Sequence, residues 1–329
     1  MEPMSGQRAA AEPYTTRFET EVTAVDGRRV WLERSYFYGE SGGQPADRGT
    51  IGDADVADVQ LVDGQPVHVL DEEPSFGVGH RVLCSVDWSF RMYCMRAHTA
   101  SHALYGAARR LLEDLEYAGF DIDEDRIRID LETSTEIDDE TLFELEKRIN
   151  RVVWESRPVS WEEMQLSDAR GRDDIAFNEA TSDRAVRSGR VRVVRIGGEN
   201  DATGVSDDPI TTTGGTVTRI TNEGTKTGSS AGSRTRSNAG DSDTPWDVAA
   251  CSGTHVRNTR EIGPVTVLGR SNPGEGVTRI EFAVGPRAID RRTAEKRAAF
   301  AAKRSLETTV SDVPGALDRC SSDRETLGD

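Results

Sequence analysis

Between residues 15 and 90 apolar and polar positions alternate in short runs broken by Gly, Pro and Asp, the period-two pattern of half-buried strands. Thr23-Ala24-Val25 runs into Asp26-Gly27 and resumes as Arg29-Val30-Trp31-Leu32, a hairpin signal. Val56 to Val62, Val67-His68-Val69-Leu70 and Val82-Leu83-Cys84-Ser85-Val86 continue the pattern and predict a small N-terminal β-barrel. Beyond residue 90 the period changes. Leu104, Ala108, Leu111, Leu112 and Leu115 share one face of a helix expected to lie against a sheet. Arg126 to Leu131 alternates as a strand. Asp138 is placed to cap a second helix, whose Leu142, Leu145, Ile149, Val152 and Val153 recur at helical spacing before Pro158. Further strands are expected at 191–196, 247–251, 265–268 and 278–284. Helices beside a mostly antiparallel sheet make the fold class α+β.

Three segments stand apart from these patterns. Residues 1–14 show no periodicity and are expected to form a disordered tail. In 199–244, Gly, Ser and Thr supply 24 of 46 residues. Such a segment cannot bury enough apolar area to offset about 1–2 kcal/mol of backbone entropy per residue, so a disordered surface insertion is expected. After 286 the spacing of Ala288, Ile289, Arg292, Lys296, Ala299, Phe300 and Lys303 is helical, with a frayed end over 308–329. The expected organisation is a tail (1–14), a barrel (15–90), an α+β domain (91–290) interrupted by 199–244, and a C-terminal helix with frayed tail (291–329).

Candidate chemistry lies in two short pairs. His98 and His102 are one helical turn apart and share a helix face. Cys251 follows 149 residues after His102, with His255 four further on. Four nitrogen and sulfur donors suit one tetrahedral Zn²⁺, with metal–nitrogen near ~2.0 Å and metal–sulfur near ~2.3 Å. Such a site is structural when four protein ligands close it and catalytic when one position opens, and His255 is the candidate for the loosely held ligand. No carboxylate stands out as a general base. Glu40 and Glu261 are near the motifs but read as surface charges.

The charge balance is 41 basic against 58 acidic residues, a net of −17, and only four basic residues are lysines. An acidic, lysine-poor surface resembles that of proteins from salt-loving archaea, in which molar salt screens self-repulsion. The same acidity runs against the basic patches usual for nucleic-acid binders. The four cysteines show no disulfide-scaffold spacing, and no apolar run approaches the ~20 residues of a membrane helix. A cytoplasmic location without membrane attachment is expected.

A third block, Phe37-Tyr38-Gly39-Glu40-Ser41-Gly42-Gly43-Gln44-Pro45-Ala46-Asp47-Arg48-Gly49, precedes the two metal motifs. With Arg96-Ala97-His98-Thr99-Ala100-Ser101-His102 and Cys251-Ser252-Gly253-Thr254-His255, in that order, it resembles the alanyl-tRNA editing family. That family comprises the editing domain of alanyl-tRNA synthetase and its free-standing, AlaX-type relatives, and the likeness covers roughly residues 15 to 290 less the insertion. The resemblance implies a zinc-dependent aminoacyl-tRNA deacylase acting in trans on mischarged tRNA for alanine that bears serine or glycine. It implies zinc-linked catalysis by His98, His102, Cys251 and His255, with Thr99, Ser101, Gly42, Gly43 and Gln44 near substrate. No ATP fingerprint is visible, so the aminoacylation half is expected to be missing. The chain departs from the family pattern at Ser101, often threonine, and at Ser252, usually glycine. A loop glutamine common in the family has no counterpart in Glu116-Tyr117-Ala118-Gly119-Phe120. Two other readings stay open: a catalytically silent zinc-stabilised RNA-binding or adaptor module, and a metallohydrolase of a small ester or amide. Oligomeric state is not legible.

Overall fold

The alternation of residues 15–90 resolves into six strands: β1 (Arg17–Asp26), β2 (Arg29–Leu32), β3 (Gly49–Ile51), β4 (Ala54–Val62), β5 (Gln65–Leu70) and β6 (Arg81–Val86). All pairings are antiparallel, and the order β1-β2-β5-β4-β3-β6 closes on itself, which leaves no free edge. Inward residues such as Phe18, Val22, Val30, Ile51, Val59 and Leu70 fill the barrel. The first hairpin turns at Gly27, whose φ of 56° suits a residue without Cβ. These observations come from a computed structural model, in which the described residues are 8–177, 186–187, 189–198, 244–274 and 276–326.

The chain from Arg8 is packed rather than loose. Helix α1 (Arg8–Ala11) buries Ala9 and Ala10. The Ala10 carbonyl accepts from Arg192 at 2.9 Å and the Pro13 carbonyl from Arg91 at 2.6 Å. Two buried cations thus hold the segment down with part of their donor sets, which composition cannot reveal.

Helix α2 (Trp88–Ala108) begins where Asp87 accepts from the amides of Ser89 and Phe90 at 2.9 and 3.2 Å, satisfying two otherwise orphaned donors. Its interior is rich in alanine, the best helix former, and Ala97, Ala100, Ala103 and Ala107 are fully buried. Small residues let neighbours approach closely. A Cβ on Gly106 would lie 2.6 Å from the Trp246 indole nitrogen. The helix stops at Ala108, so Leu111, Leu112 and Leu115 reach the same core from the turn beyond it.

Helix α3 (Asp139–Glu155) is capped by Asp138, which accepts from the Thr141 amide at 2.8 Å, and it buries Leu142, Leu145, Ile149 and Val152. It packs on α2 and, with α2, covers the sheet β13-β14-β8-β7. Those strands are β7 (Glu116–Ile122), β8 (Ile127–Glu132), β13 (Val265–Gly274) and β14 (Val277–Val284). In a second sheet, β11 (Arg190–Ile196) lies against β9 (Val159–Gln165), β10 (Val186–Arg187) and β12 (Asp247–Ala250), all antiparallel. A short helix α4 (Leu166–Arg170) follows β9. The architecture is α+β with a six-stranded antiparallel barrel and further antiparallel sheets.

Helices α5 (Pro286–Ser305) and α6 (Val313–Thr326) end the described chain. The second of them occupies the stretch expected to be frayed. The expected insertion over 199–244 lies outside the described residues except for Thr244. No helix of the described residues is long and apolar enough to cross a membrane.

Candidate metal centre

Helix α2 carries His98 and His102 on one face, and the loop after β12 carries Cys251 and His255. One ligand atom from each of the four lies within 4.8 Å of all the others. The His98 and His255 Nε2 atoms are each 3.3 Å from the Cys251 sulfur. Spacing alone gave two pairs; β12, antiparallel to β11 and packed on α2, brings them together.

Each imidazole is oriented from behind. His98 Nδ1 lies 2.9 Å from Gln44 Oε1, an oxygen that also accepts from the Thr254 amide at 3.0 Å. The Gln44 amide nitrogen donates to the Thr254 hydroxyl at 2.9 Å, which fixes which end of the side chain is oxygen. His98 Nδ1 therefore donates. His102 Nδ1 lies 2.8 Å from Asp247 Oδ2, again an acceptor. His255 Nδ1 lies 3.2 Å from the Thr99 hydroxyl, which spends its one proton on the Met95 carbonyl at 2.8 Å and so accepts here. All three rings have Nδ1 engaged outward as a donor, which points Nε2 at the cluster and leaves it to offer a lone pair once a metal displaces its proton. This is how outer partners prepare histidines for a metal. The donor set of three neutral nitrogens and one thiolate fits Zn²⁺.

Within the cluster the thiol and the imidazoles share protons that a metal would displace. Burial opposes ionisation of Cys251, yet the surrounding imidazoles of His98 and His255, with hydrogen bonds from His102 and His255, hold its thiol well below the ordinary value. Burial, with His98 and His102 nearby, pushes His255 down to about 3 despite Cys251. Burial would lower His102 too, but Asp247 and Cys251 outweigh it and raise the group to about 10.

A cavity of about 50 Å³ opens beside the cluster, several times the roughly 10–15 Å³ that one water needs by the same measure. His98, His102 and Cys251 form one wall; Tyr105, Tyr117 and Phe177 form another. Gly42 and Ser101 also line it. Three residues expected near substrate are turned elsewhere. Gln44 and Thr99 are fully buried and spend their polar atoms on His98 and His255. Gly43 presses against β7, where a Cβ would stand 2.1 Å from the Phe120 carbonyl oxygen at a φ of 80°. The glycine pair is thus both a tight turn and a close contact, with Gly42 alone reaching the cavity. His255, expected to be the loose ligand, does not line the cavity and is braced by Thr99. Among the four, His102 is the most exposed. Glu40 is exposed, and Glu261 accepts from the Tyr14 hydroxyl at 2.6 Å; neither lines the cavity.

Sequence reasoning missed Asp247 and Arg192. Arg192 is buried and donates to the carbonyls of Cys251 and Gly253 at 2.9 and 3.1 Å, clamping the loop. Gly253 is required by space alone, since a Cβ there would lie 2.0 Å from His98 Cε1. Arg91 joins barrel to helix: wholly buried, it binds Asp47 through Nε at 3.0 and 3.1 Å and donates to the Tyr36 carbonyl at 2.7 Å. Strand β11 gave no signal for Arg192, since Val191 to Val194 are all buried without alternation; for Asp247 the only signal was an acid at the start of β12.

Comparison with known proteins agrees with this geometry. Residues 191–281 match the family model described as "Threonyl and Alanyl tRNA synthetase second additional domain", and residues 7–90 match "tRNA synthetases class II (A)". The alanine–tRNA ligase of Methanopyrus kandleri is 34% identical over 268 residues, 80% of this chain and 24% of that protein. Those of Pyrococcus abyssi and Methanothrix thermoacetophila are 30% and 33% identical, over 94% and 85% of this chain and 29% and 25% of theirs. The chain thus spans about a quarter of the length of these relatives. With matches at both ends of the fold, one of them holding Cys251 and His255, and with relatives aligned over most of its length, the chain belongs to the editing-type family related to alanyl-tRNA synthetase.

Proposed function

We propose that this chain hydrolyses the ester joining a wrongly attached amino acid, serine or glycine, to tRNA for alanine, with one zinc ion held by His98, His102, Cys251 and His255. The observation that carries the reading is the agreement of three separate outer contacts. Gln44, Asp247 and Thr99 each turn an Nε2 atom toward one thiol at the edge of a cavity. The relatives' names supply the tRNA for alanine as the substrate class.

The reaction adds water across the acyl C–O bond; the acyl carbon gains the hydroxyl, and the ribose oxygen leaves with the proton. Bound zinc supplies Lewis acidity toward the ester carbonyl and water. The protein's residues set the geometry around it. His98, His102 and Cys251 face the cavity, whereas His255 stands behind, toward Tyr14 and Arg257. Were zinc held there, substrate in the cavity would meet it from the side of His98, His102 and Cys251, of which His102 is the most exposed. Tyr105, Tyr117 and Phe177 give the acyl group a mainly apolar wall, and Gly42 leaves room for it. Burial raises the phenols of Tyr105 and Tyr117, so both stay protonated.

The test supplies the purified chain, in high salt with zinc, with tRNA for alanine already charged with serine or with alanine. Release of serine and not of alanine supports action in trans on the mischarged form. One observation favours a second reading, a zinc-stabilised RNA-binding module without hydrolysis: four protein donors are enough to close a tetrahedral site. Binding of the charged tRNA without release would select that reading.

A further inference from the structure

Asp247, first residue of β12, is 2% exposed and lies in the cavity wall. Its two oxygens have different fates. Oδ2 is 2.8 Å from His102 Nδ1 and orients that ring. Oδ1 is buried with no hydrogen-bond partner among the described residues. A buried carboxylate oxygen without a donor is costly, more so than a neutral group, which makes the orphan a request for a cation or a donor from outside the chain. No lysine or arginine among the described residues lines the cavity to answer it. Of the polar groups that line the cavity with it, the Ser101 hydroxyl donates to the His98 carbonyl at 2.7 Å and His98 Nδ1 is taken by Gln44, while the Tyr105 and Tyr117 phenols line the same cavity without donating to Oδ1.

We infer that Asp247 Oδ1 receives the α-ammonium group of the aminoacyl ester, an inference that rests on the hydrolase reading above. The carbonyl carbon of such an ester is two bonds from its ammonium nitrogen. An ammonium held at Oδ1 therefore places the scissile carbonyl beside the donors that the same carboxylate helps to orient through Oδ2. One side chain couples recognition of the amine to the placement of His102. The ligand class is a primary α-ammonium acyl group with a small side chain, to fit the cavity. Esters whose α-amine is acylated, or replaced by hydroxyl, keep one donor for Oδ1 but lose the positive charge that matches it. This separates aminoacyl substrates from small neutral esters.

The test uses two stable analogues of the charged 3′ end: 3′-amino-3′-deoxyadenosine bearing a seryl amide, and its counterpart with the α-amine replaced by hydroxyl. Calorimetry reads their affinities for the zinc-loaded wild type and for Asp247→Asn. Asparagine keeps an oxygen acceptor for His102 Nδ1 and presents an amide donor where the orphan oxygen stood. Elemental analysis confirms one zinc per chain in both proteins. The wild type is expected to favour the amine by about 10- to 100-fold, the range of a hydrogen bond to a charged group, and Asp247→Asn to bind both analogues alike at the weaker level. Equal affinities in the wild type, or a preference that survives in Asp247→Asn, would overturn the inference. Binding of neither analogue by Asp247→Asn would assign the residue to holding His102 alone and overturn it as well. If the wild type binds neither analogue and releases no serine from Ser-tRNA, the hydrolase reading itself fails; serine release without an amine preference refutes only the role of Asp247.

Discussion

Replacing Gln44 by leucine tests whether the barrel's glycine loop prepares the metal centre. Leucine nearly matches the volume but strips acceptors from the His98 Nδ1–H and the Thr254 amide, and the donor from the Thr254 hydroxyl, at contacts of 2.9, 3.0 and 2.9 Å. All three partners are buried. Each unmatched buried donor costs about 1–3 kcal/mol, so the two donors together should cost about 2–6 kcal/mol of stability. Freed of its acceptor, His98 can rotate or change tautomer, and loss of such an outer partner lowers metal affinity about 10- to 100-fold. Gln44→Glu is the contrast: both carboxylate oxygens accept, the Thr254 hydroxyl can turn to donate, and a carboxylate behind a zinc histidine keeps its ring oriented. Zinc affinity would be read by competition with a chromophoric chelator, and stability by urea unfolding followed by circular dichroism. The expected order is wild type and Gln44→Glu together, with Gln44→Leu far below. A leucine variant that binds zinc as tightly as the wild type, or a glutamate variant that falls equally far, would refute the reasoning.

Gly253→Ala should lower zinc affinity by at least about 100-fold, because its Cβ would sit 2.0 Å from His98 Cε1 against the ~3.5 Å of an ordinary carbon contact; unchanged affinity in the same chelator titration would exclude the close packing. Arg91→Met should cost about 3–5 kcal/mol by leaving Asp47 buried and unpaired, and adding Asp47→Asn should recover part of that in urea melts. His68 is buried in the barrel, with Nδ1 3.1 Å from the Val30 carbonyl and Nε2 2.8 Å from the Ser35 hydroxyl, and burial pushes it down to about 4. Below its unfolded value near 6.5 the unfolded chain takes the proton first, so stability is intact above pH 6.5 and falls by about 3 kcal/mol as pH drops to 4. His68→Gln should flatten that slope between pH 7 and 4; an unchanged slope would show that the barrel histidine does not titrate as placed.

The elements most legible in the sequence are those whose burial is one-sided. The β1–β2 hairpin and β6 alternate because one face meets the barrel core, and α3 shows its stripe because its other face is wet. Helix α2 hides its boundary, since it is buried nearly all round and its leucines continue past Ala108. Strand β9 escaped notice because Glu162 and Glu163 break any alternation in Val159–Gln165, yet it pairs with β11 along its whole length. The four donors were legible because metal chemistry restricts both residue type and spacing. Gln44, Thr99 and Asp247 were not assigned their roles, because a hydrogen bond to the far side of an imidazole leaves no periodic trace. Gln44 and Thr99, expected to meet substrate, turned inward for that reason, whereas Gly42 and Ser101 line the cavity.

Gln44 and His98 are 54 residues apart, and His98 and Cys251 are 153 apart. Closing such loops costs entropy that rises only with the logarithm of their length; the longer must close to bring Cys251 and His255 to the helix pair, and the shorter to set the ring of His98. A chain halted partway through folding would offer an ion no more than the HxxxH pair on its helix. Tight retention of metal is therefore a reporter of completed assembly: a chain that grips the ion has already seated its barrel against its last sheet.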